Sequence, residues 1–233
     1  MKNGIKTIGE IVASDFRTAQ VFREAGIDFC CGGKMSLDEA CREKGIEPAV
    51  LLDKIEEIAA TEIPGTMNYK EWDPGFLCDY IVNTHHRYVK NNMQAIVEYT
   101  GKIASVHGHN HPELLEVASL FSSISTELKQ HLGKEEEVLF PAIKSLSGKS
   151  GGDAVPIIRS EIARMSGEHE IAGKAMDRIN ILTSGYMVPA DGCNTYRAAF
   201  SNLDRFEQDL HIHVHLENNI LFPAALELAN NYK

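Results

Sequence analysis

The sequence lacks an apolar run long enough to span a membrane, and its first residues, MKNGIKTIGE, lack the apolar core of a signal peptide. It also lacks a basic stripe or an aromatic platform, and the net charge of −10 argues against a general nucleic-acid binder. The sequence also lacks the cysteine density of a disulfide framework: its five cysteines, an odd number in a chain of this size, indicate a reducing compartment. We therefore expect a cytoplasmic protein that binds neither membranes nor nucleic acid.

An alternating apolar–polar run of useful length is also missing, which predicts essentially no β-sheet. The chain of 233 residues is 43% hydrophobic and 24% charged, as in ordinary globular proteins. That length is sufficient for one good core and a small additional domain. The expected fold class is therefore all-α.

One metal-ligand pattern occurs twice in the sequence. Glu135 follows His131 by four residues, Glu217 follows His213 by four, and the sequence Leu-Phe-Pro-Ala follows each glutamate at the same offset. On a helix, residues four apart lie on one face, so an imidazole and a carboxylate at this spacing reach a common ion. A core has no packing reason to choose a buried carboxylate twice. The repeat therefore favours a paired metal centre.

The repeat extends towards the N-terminal side of each motif. His86 lies 45 residues before His131, and His169 lies 44 residues before His213. These histidines and the two glutamates fall on apolar stripes with helical spacing, a pattern typical of inward positions in a four-helix bundle. A lone histidine in such a stripe is usually a satisfied core residue, but six polar side chains in four registered stripes favour metal binding. The candidate ligands are His86, His131, Glu135, His169, His213 and Glu217.

The ligand types restrict the choice of metal ion but do not identify a single metal. Mixed imidazole and carboxylate ligation suits iron, manganese or zinc. If both glutamates bridge, each metal receives two imidazoles and two bridging oxygens, and positions stay open for an oxo or hydroxo bridge and an exogenous ligand. Di-iron carboxylate enzymes use more carboxylates and a Glu-x-x-His motif, which these positions lack. The histidine-rich set favours reversible ligand binding or iron release over substrate oxidation.

A break in helical periodicity divides the chain. Residues 63–75 contain a Pro-Gly pair at 64–65, and Asp73 with Pro74 has the form of a helix N-cap and first helical residue. A second break, the Gly-Lys-Ser-Gly-Gly run at 148–152, separates the two halves of the bundle. The predicted organisation is a small helical domain (1–62), a linker (63–75) and a four-helix bundle (76–233).

The N-terminal part has its own helix signals. Thr7-Ile-Gly-Glu and Ser36-Leu-Asp-Glu are capping-box patterns, and Pro48 suits the first turn of a third helix that reaches about Ala60. The sequence therefore predicts a module of three helices before the linker.

Adjacent cysteines lie between the first two of these helices. Cys30 and Cys31 are followed by two glycines and Lys34, just ahead of a helix start. The helix N-terminus and the lysine would both favour thiolate, which makes the cysteine pair a candidate reactive site. Two buried cysteines that close a turn are an equal alternative.

Other histidines, cysteines and one glycine have weaker signals. Three histidines outside the ligand frame are expected at the surface or next to the ligands: His85, His211 and His215. Three before the second bundle helix are either polar turn residues or a point of access for iron or protons: His107, His109 and His111. Three cysteines are expected to be packing residues: Cys41, Cys78 and Cys193. Gly133 lies between two ligands, where we expect the close approach of a neighbouring helix.

The Cys-Cys-Gly-Gly module followed by this bundle resembles the iron–sulfur cluster repair family, the di-iron "repair of iron centres" proteins of bacteria. The resemblance covers the N-terminal module to about residue 60 and the bundle from about residue 76. The ligand positions of the family fall on the six candidate residues without a departure. The resemblance implies a haemerythrin-like bundle and a non-haem di-iron centre bridged by the two glutamates. It also implies a role in restoring iron–sulfur clusters damaged by nitric oxide or oxidants. We also expect an oxo or hydroxo bridge between the two irons and a homodimer.

Two functions follow as hypotheses. In the first, the bundle holds labile iron, and Cys30 and Cys31 help to deliver it to iron–sulfur proteins with damaged or apo clusters. In the second, the centre binds nitric oxide or oxygen, as a sensor or a weak nitric oxide reductase, with the cysteines as redox partner. A structural zinc site is disfavoured because six ligands exceed the needs of a closed tetrahedral site.

Overall fold

Helices dominate residues 6–61, 68–148 and 151–232, the residues that the computed structural model describes. Within these ranges no β-strand forms, and the sole strand-like feature is an isolated bridge between Thr7 and Ser36. The all-α prediction is confirmed. Across the same ranges, no helix is both long and apolar enough to cross a membrane.

The N-terminal part contains four short α-helices in residues 6–61. Thr7 and Ser36 both form the predicted capping boxes with the glutamates three residues on. Pro48 begins the last helix, as predicted. The bounds are α1 (Ile8–Ser14), α2 (Ala19–Glu24), α3 (Leu37–Lys44) and α4 (Pro48–Ala60), with a 3₁₀ turn at Phe16–Thr18.

The prediction of three helices in this module was wrong, because the first helical stretch is broken at Asp15. The Asp15 carboxylate accepts a hydrogen bond from the backbone N–H of Arg17 at 3.1 Å, and its backbone is extended. An aspartate that caps the following turn in this way competes with continuation of the helix.

The rest of the described chain forms four long antiparallel helices that span 74–107, 113–147, 154–182 and 194–231. Asp73 caps the first by accepting the N–H of Phe76 at 3.1 Å, as the sequence predicted. Three of the four contain a five-residue π segment. The parts are α5 (Pro74–Ile81), π1 (Val82–His86), α6 (Arg87–His107), α7 (Glu113–Lys134), π2 (Glu135–Leu139), α8 (Phe140–Ser147), α9 (Ala154–Leu182), α10 (Asn194–Leu216), π3 (Glu217–Leu221) and α11 (Phe222–Asn231).

Packing between these helices follows an up-down bundle. Helix α6 packs against α7 and α10, and α7 packs against α9, so the neighbours in sequence are neighbours in space. The predicted Pro-Gly pair of the linker, at 64–65, and residues 149–150 of the glycine-rich break lie outside the described residues.

The π segments were not predicted, and three of the candidate ligands lie in them: His86, Glu135 and Glu217. A π turn accommodates an extra residue within a helix and is frequent at functional sites. Both π2 and π3 precede the Phe-Pro pair that starts the next helical stretch. Because proline has no N–H to donate and crowds the preceding turn, a wider turn just before it relieves the helix. The repeated Leu-Phe-Pro-Ala sequence was therefore the available signal.

The apolar core divides into two clusters along the bundle. One joins the N-terminal helices to α6, α7, the last part of α9 and most of α10. The other is formed mainly by α5, α8, α11 and the first part of α9. The six candidate ligands lie between these clusters, at the level of the π segments.

Candidate metal centre

The six candidate ligands are brought together in the bundle interior, and each residue is at most 3% exposed. The four long helices supply them, with both glutamates at the first position of a π segment. The donor atoms form two groups, and within each group they lie no more than 4.8 Å apart. The first group is His86, Glu135, His213 and Glu217; the second is His131, Glu135, His169 and Glu217.

Both glutamates belong to both groups. Glu135 places Oε2 3.4 Å from His86 Nε2 and 3.3 Å from His131 Nε2. Glu217 divides its oxygens, with Oε1 3.0 Å from His213 Nε2 and Oε2 3.2 Å from His169 Nε2. Each carboxylate thus faces one histidine of either group, which is the geometry needed for a bridge.

The paired imidazoles face each other through their Nε2 atoms. The Nε2 atoms of His86 and His213 lie 3.2 Å apart, and those of His131 and His169 lie 3.0 Å apart. Two imidazole nitrogens aimed at one point suit a shared ion, since a metal accepts both lone pairs.

The imidazoles and carboxylates of this cluster strongly change one another's pKa values. Burial lowers the pKa of His86, but the carboxylates of Glu135 and Glu217 outweigh it and raise that pKa to about 10. For His131 the same opposition, with Glu135 the largest raising influence, gives a pKa of about 9. Burial and Glu217 raise the pKa of Glu135, but the imidazoles lower it to about 2. Metal binding must therefore displace protons from these imidazoles.

Several buried atoms have no hydrogen-bond partner within the described part of the chain. They include both carboxylate oxygens of Glu135, Glu217 Oε2 and His213 Nδ1. Leaving fully buried carboxylate oxygens without hydrogen-bond donors is costly, and a bound cation would remove that cost. The nitrogen and oxygen donor set fits transition-metal ions such as iron, manganese or zinc.

Three ligand imidazoles have hydrogen-bond partners that sequence reasoning missed. His86 Nδ1 lies 2.8 Å from Glu136 Oε1, His131 Nδ1 lies 2.7 Å from Glu168 Oε2, and His169 Nδ1 lies 3.0 Å from Asn218 Oδ1. An Nδ1–H that donates to these oxygens leaves Nε2 free for a metal and fixes the ring orientation. Each of these partners directly follows or precedes a candidate ligand in the sequence, and this adjacency could have identified them.

His85 was expected either at the surface or next to the ligands, and it lies next to the ligands. Its Nδ1 lies 2.9 Å from Asp209 Oδ1, and its ring stacks on His213 with centroids 5.7 Å apart. For His215 the surface alternative was wrong. Its side chain is fully buried under the N-terminal module, with Nδ1 3.1 Å from Asn219 Nδ2. The helical frame alone could not show that another module covers this face of α10.

The cysteine pair lies against α9, beside one of the six candidate ligands. The Sγ atom of Cys31 is 3.5 Å from the backbone carbonyl oxygen of His169, and the two cysteine Sγ atoms are 3.8 Å apart. Asp28 Oδ1 accepts the backbone N–H groups of Cys30 at 2.8 Å and Cys31 at 3.0 Å. The pair is therefore held in a fixed loop beside the bundle.

The expectation that the surroundings favour a thiolate was wrong for Cys30. Its hydrogen bond to Cys31, its burial and the neighbouring Asp28 carboxylate together raise the pKa of the Cys30 thiol well above its usual value. Helix α3 begins only at Leu37, so its N-terminus does not cap this loop.

Asn219 in π3 fastens the cysteine loop to the bundle. Its Nδ2 donates to the carbonyl oxygens of Phe29 at 3.2 Å and Cys30 at 3.1 Å. A Cβ atom added at Gly33 would lie 2.5 Å from Asn219 Oδ1, and one at Gly9 would also clash with it. The same Cβ at Gly33 would lie 2.8 Å from the backbone carbonyl oxygen of Phe29, so the tight cysteine loop itself requires the second glycine of Cys-Cys-Gly-Gly.

A pocket of about 210 Å³ opens between α7 and α9 onto two of the imidazoles. It is large enough for a small ligand and gives the second group a path from the surface. Its lining consists of Glu127, Leu128, Gln130, His131, Lys134, Glu168, His169, Ile171 and Ala172.

The remaining cysteines and Gly133 agree only in part with the predictions made for them. Cys41 and Cys78 are fully buried, as expected of packing residues. Cys193 is exposed, and its Sγ lies 3.3 Å from His107 Nε2, because it precedes α10 at an open end of the bundle. A Cβ added at Gly133 would meet no atom within 4 Å, so no helix approaches closely there.

Comparison with known proteins agrees with this architecture. Residues 79–225 match the family of the hemerythrin HHE cation binding domain, and residues 4–59 match ScdA_N, a domain of unknown function. The chain is 34% identical over 215 residues to the iron-sulfur cluster repair protein ScdA of Staphylococcus haemolyticus, covering 92% of this chain and 95% of that protein. It is 33% identical to the iron-sulfur cluster repair protein YtfE of Musicola paradisiaca, covering 95% and 96%. This chain belongs to the iron–sulfur cluster repair protein family.

Proposed function

We propose that this chain restores damaged iron–sulfur clusters by donating iron from a dinuclear centre bridged by Glu135 and Glu217. The observation that carries the proposal is the pair of ligand groups that share both carboxylates and lie beside Cys31. The names of the relatives as iron-sulfur cluster repair proteins support the same function. Bound iron would supply an exchangeable cargo and open coordination positions.

The cysteine loop is the proposed exit for iron. One oxygen of Asp28 and the Sγ atoms of Cys30 and Cys31 lie within 4.8 Å of one another and form a third donor group. The loop contacts the backbone of His169, which places this donor group beside a ligand of the second group. Although the pKa of the free Cys30 thiol is raised, a coordinating metal removes the thiol proton.

The direct test follows labelled iron. Protein loaded with ⁵⁷Fe is incubated anaerobically with an apo-ferredoxin, sulfide and a reductant, and the ⁵⁷Fe cluster on the separated ferredoxin is counted by Mössbauer spectroscopy. We expect transfer by the wild type and slower transfer by the Cys30→Ala/Cys31→Ala variant, with unchanged starting iron. Cys193→Ser is the matched control and should transfer at the wild-type rate. Retention of all iron by the wild type would contradict donation.

A second function is favoured by the pocket onto His131 and His169. A space of about 210 Å³ admits nitric oxide or oxygen, which fits a sensor or a weak nitric oxide reductase. Nitric oxide added to the iron-loaded protein distinguishes the two. Formation of nitrous oxide with iron retained would favour reduction, whereas loss of iron to the apo-ferredoxin favours donation.

We also propose a cytoplasmic homodimer that acts during nitrosative or oxidative stress. Sedimentation equilibrium measures the oligomeric state, and a monomer at micromolar concentration would contradict the dimer.

A further inference from the structure

A cleft of about 560 Å³ separates the N-terminal helices from the bundle. On its bundle side, Asp177 of α9 and Glu207 and His211 of α10 each direct one donor atom so that the three atoms lie within 4.8 Å. Glu207 and His211 are four residues apart on one helix, so their side chains share a face. None of these three residues belongs to the dinuclear cluster described above.

Glu207 is a buried carboxylate at the wall of the cleft. The residue is 7% exposed, and Asn180 Nδ2 donates to its Oε2 at 2.9 Å. In the described ranges no basic side chain forms an ion pair with it. Burial raises its pKa to about 7, and Asp177 adds to that shift. The carboxylate is thus buried against a cavity with like charge beside it, which a cation would stabilise.

The opposite wall of the cleft adds negative charge. Asp28, which holds the cysteine loop, lines the same cleft. Burial first, and then this carboxylate, raise the pKa of Asp177. Arg23 and Lys44 also line the cleft, but across the described residues neither forms an ion pair with the three donors. A cation bound by the three donors would reduce the repulsion between the Asp28 and Asp177 carboxylates, which Lys44 offsets only in part.

We propose that Asp177, Glu207 and His211 form a third metal site for a divalent transition-metal ion, separate from the dinuclear centre. One imidazole with two carboxylates suits ferrous iron, manganese or zinc, and the cleft leaves positions for water. The site does not depend on iron donation, because it concerns binding alone.

The test counts a third ion on intact protein whose dinuclear centre is already loaded with iron. Mn²⁺ is titrated in, and free Mn²⁺ is measured by electron paramagnetic resonance while iron content is assayed in parallel. We expect one additional Mn²⁺ per chain. Asp177→Asn and Glu207→Gln should each weaken it by at least about tenfold, with dinuclear iron unchanged.

The matched control is Glu98→Gln, which removes one exposed carboxylate from α6. This variant should bind the third ion as the wild type does. Absence of a third ion in the wild type would overturn the proposal, as would equal binding by Asp177→Asn or equal weakening by Glu98→Gln. Asparagine keeps the shape of aspartate, and unchanged dinuclear iron in Asp177→Asn would show that loss of the third ion does not reflect unfolding.

Discussion

The segments π2 and π3 start with the same glutamate and then differ at the next two positions. In π2, Glu136 supports His86 and accepts from Lys90 Nζ at 2.6 Å, and Glu137 is exposed. In π3, Asn218 supports His169, and the following asparagine is covered by the cysteine loop. The two residues after the glutamate, here called the flank of each π segment, are therefore charged and partly open to solvent in π2 but neutral and covered in π3.

The difference follows from what each flank contacts. Carboxylates suit π2 because a lysine and solvent stabilise them, whereas a carboxylate in place of Asn219 would face the carbonyl oxygens of Phe29 and Cys30. An amide donates to both carbonyls. The two halves of the repeat therefore share their ligands, but only π3 has a side chain that docks the N-terminal module.

The largest expected effect concerns the bridging glutamates, where the two halves should behave alike. Glu135→Gln and Glu217→Gln keep the side-chain shape but remove the charge, so each should lose most bound iron while the helical content stays near that of the wild type. Metal analysis with circular dichroism measures both properties. Iron loss in one variant and full retention in the other would show that the carboxylates are not equivalent.

The next effect tests the covered flank. Asn219→Glu should weaken docking of the cysteine loop by about 1–3 kcal/mol, because a buried carboxylate would face two carbonyl oxygens. Alkylation of Cys30 should become faster, and the thermal midpoint should fall. The matched control is Glu137→Asn on the exposed flank of π2. If both substitutions leave alkylation of Cys30 unchanged, Asn219 does not hold the loop.

A smaller effect concerns the groups that orient the imidazoles. Glu168→Gln and Glu136→Gln keep an acceptor for Nδ1–H but remove its charge, so each should weaken iron binding about tenfold. Competition with a chelator measures the affinity. Glu137→Gln, one residue further along π2, should leave the affinity unchanged. A matching loss in that control would mean that net charge, rather than orientation of the ligands, sets the affinity.

The smallest effect contrasts two cysteines, Cys193 at an open end of the bundle and Cys30 in the covered loop beside π3. Backbone hydrogen bonds at the start of α10 and His107 lower the pKa of Cys193 to about 7, so its thiolate forms above that pH and is lost below it. Cys30 shifts in the opposite direction. At pH 7 iodoacetamide should label Cys193 first, and His107→Gln should slow the labelling about threefold. Peptide mass spectrometry identifies the labelled residue, and faster labelling of Cys30 would contradict the contrast.

The sequence predicted the all-α fold and located the six side chains of the buried cluster, because a repeated pattern with helical spacing is a local property. It did not predict the π segments, because apolar periodicity tolerates a one-residue insertion. The prolines that follow π2 and π3 are the local feature that marks two of them. Glu136, Glu168 and Asn218 lie off the apolar stripes, so only tertiary geometry identifies them. The burial of His215 and the raised pKa of Cys30 depend on how the N-terminal module packs on the bundle, which no local pattern encodes.

The most direct measurement of the central claim is the iron content of the intact chain, taken together with its Mössbauer spectrum. The two shared carboxylates predict two irons per chain and a magnetically coupled pair, with the coupled spectrum lost in Glu135→Gln and in Glu217→Gln. One tightly held zinc and no iron, in protein expressed with iron supplied, would contradict the dinuclear centre.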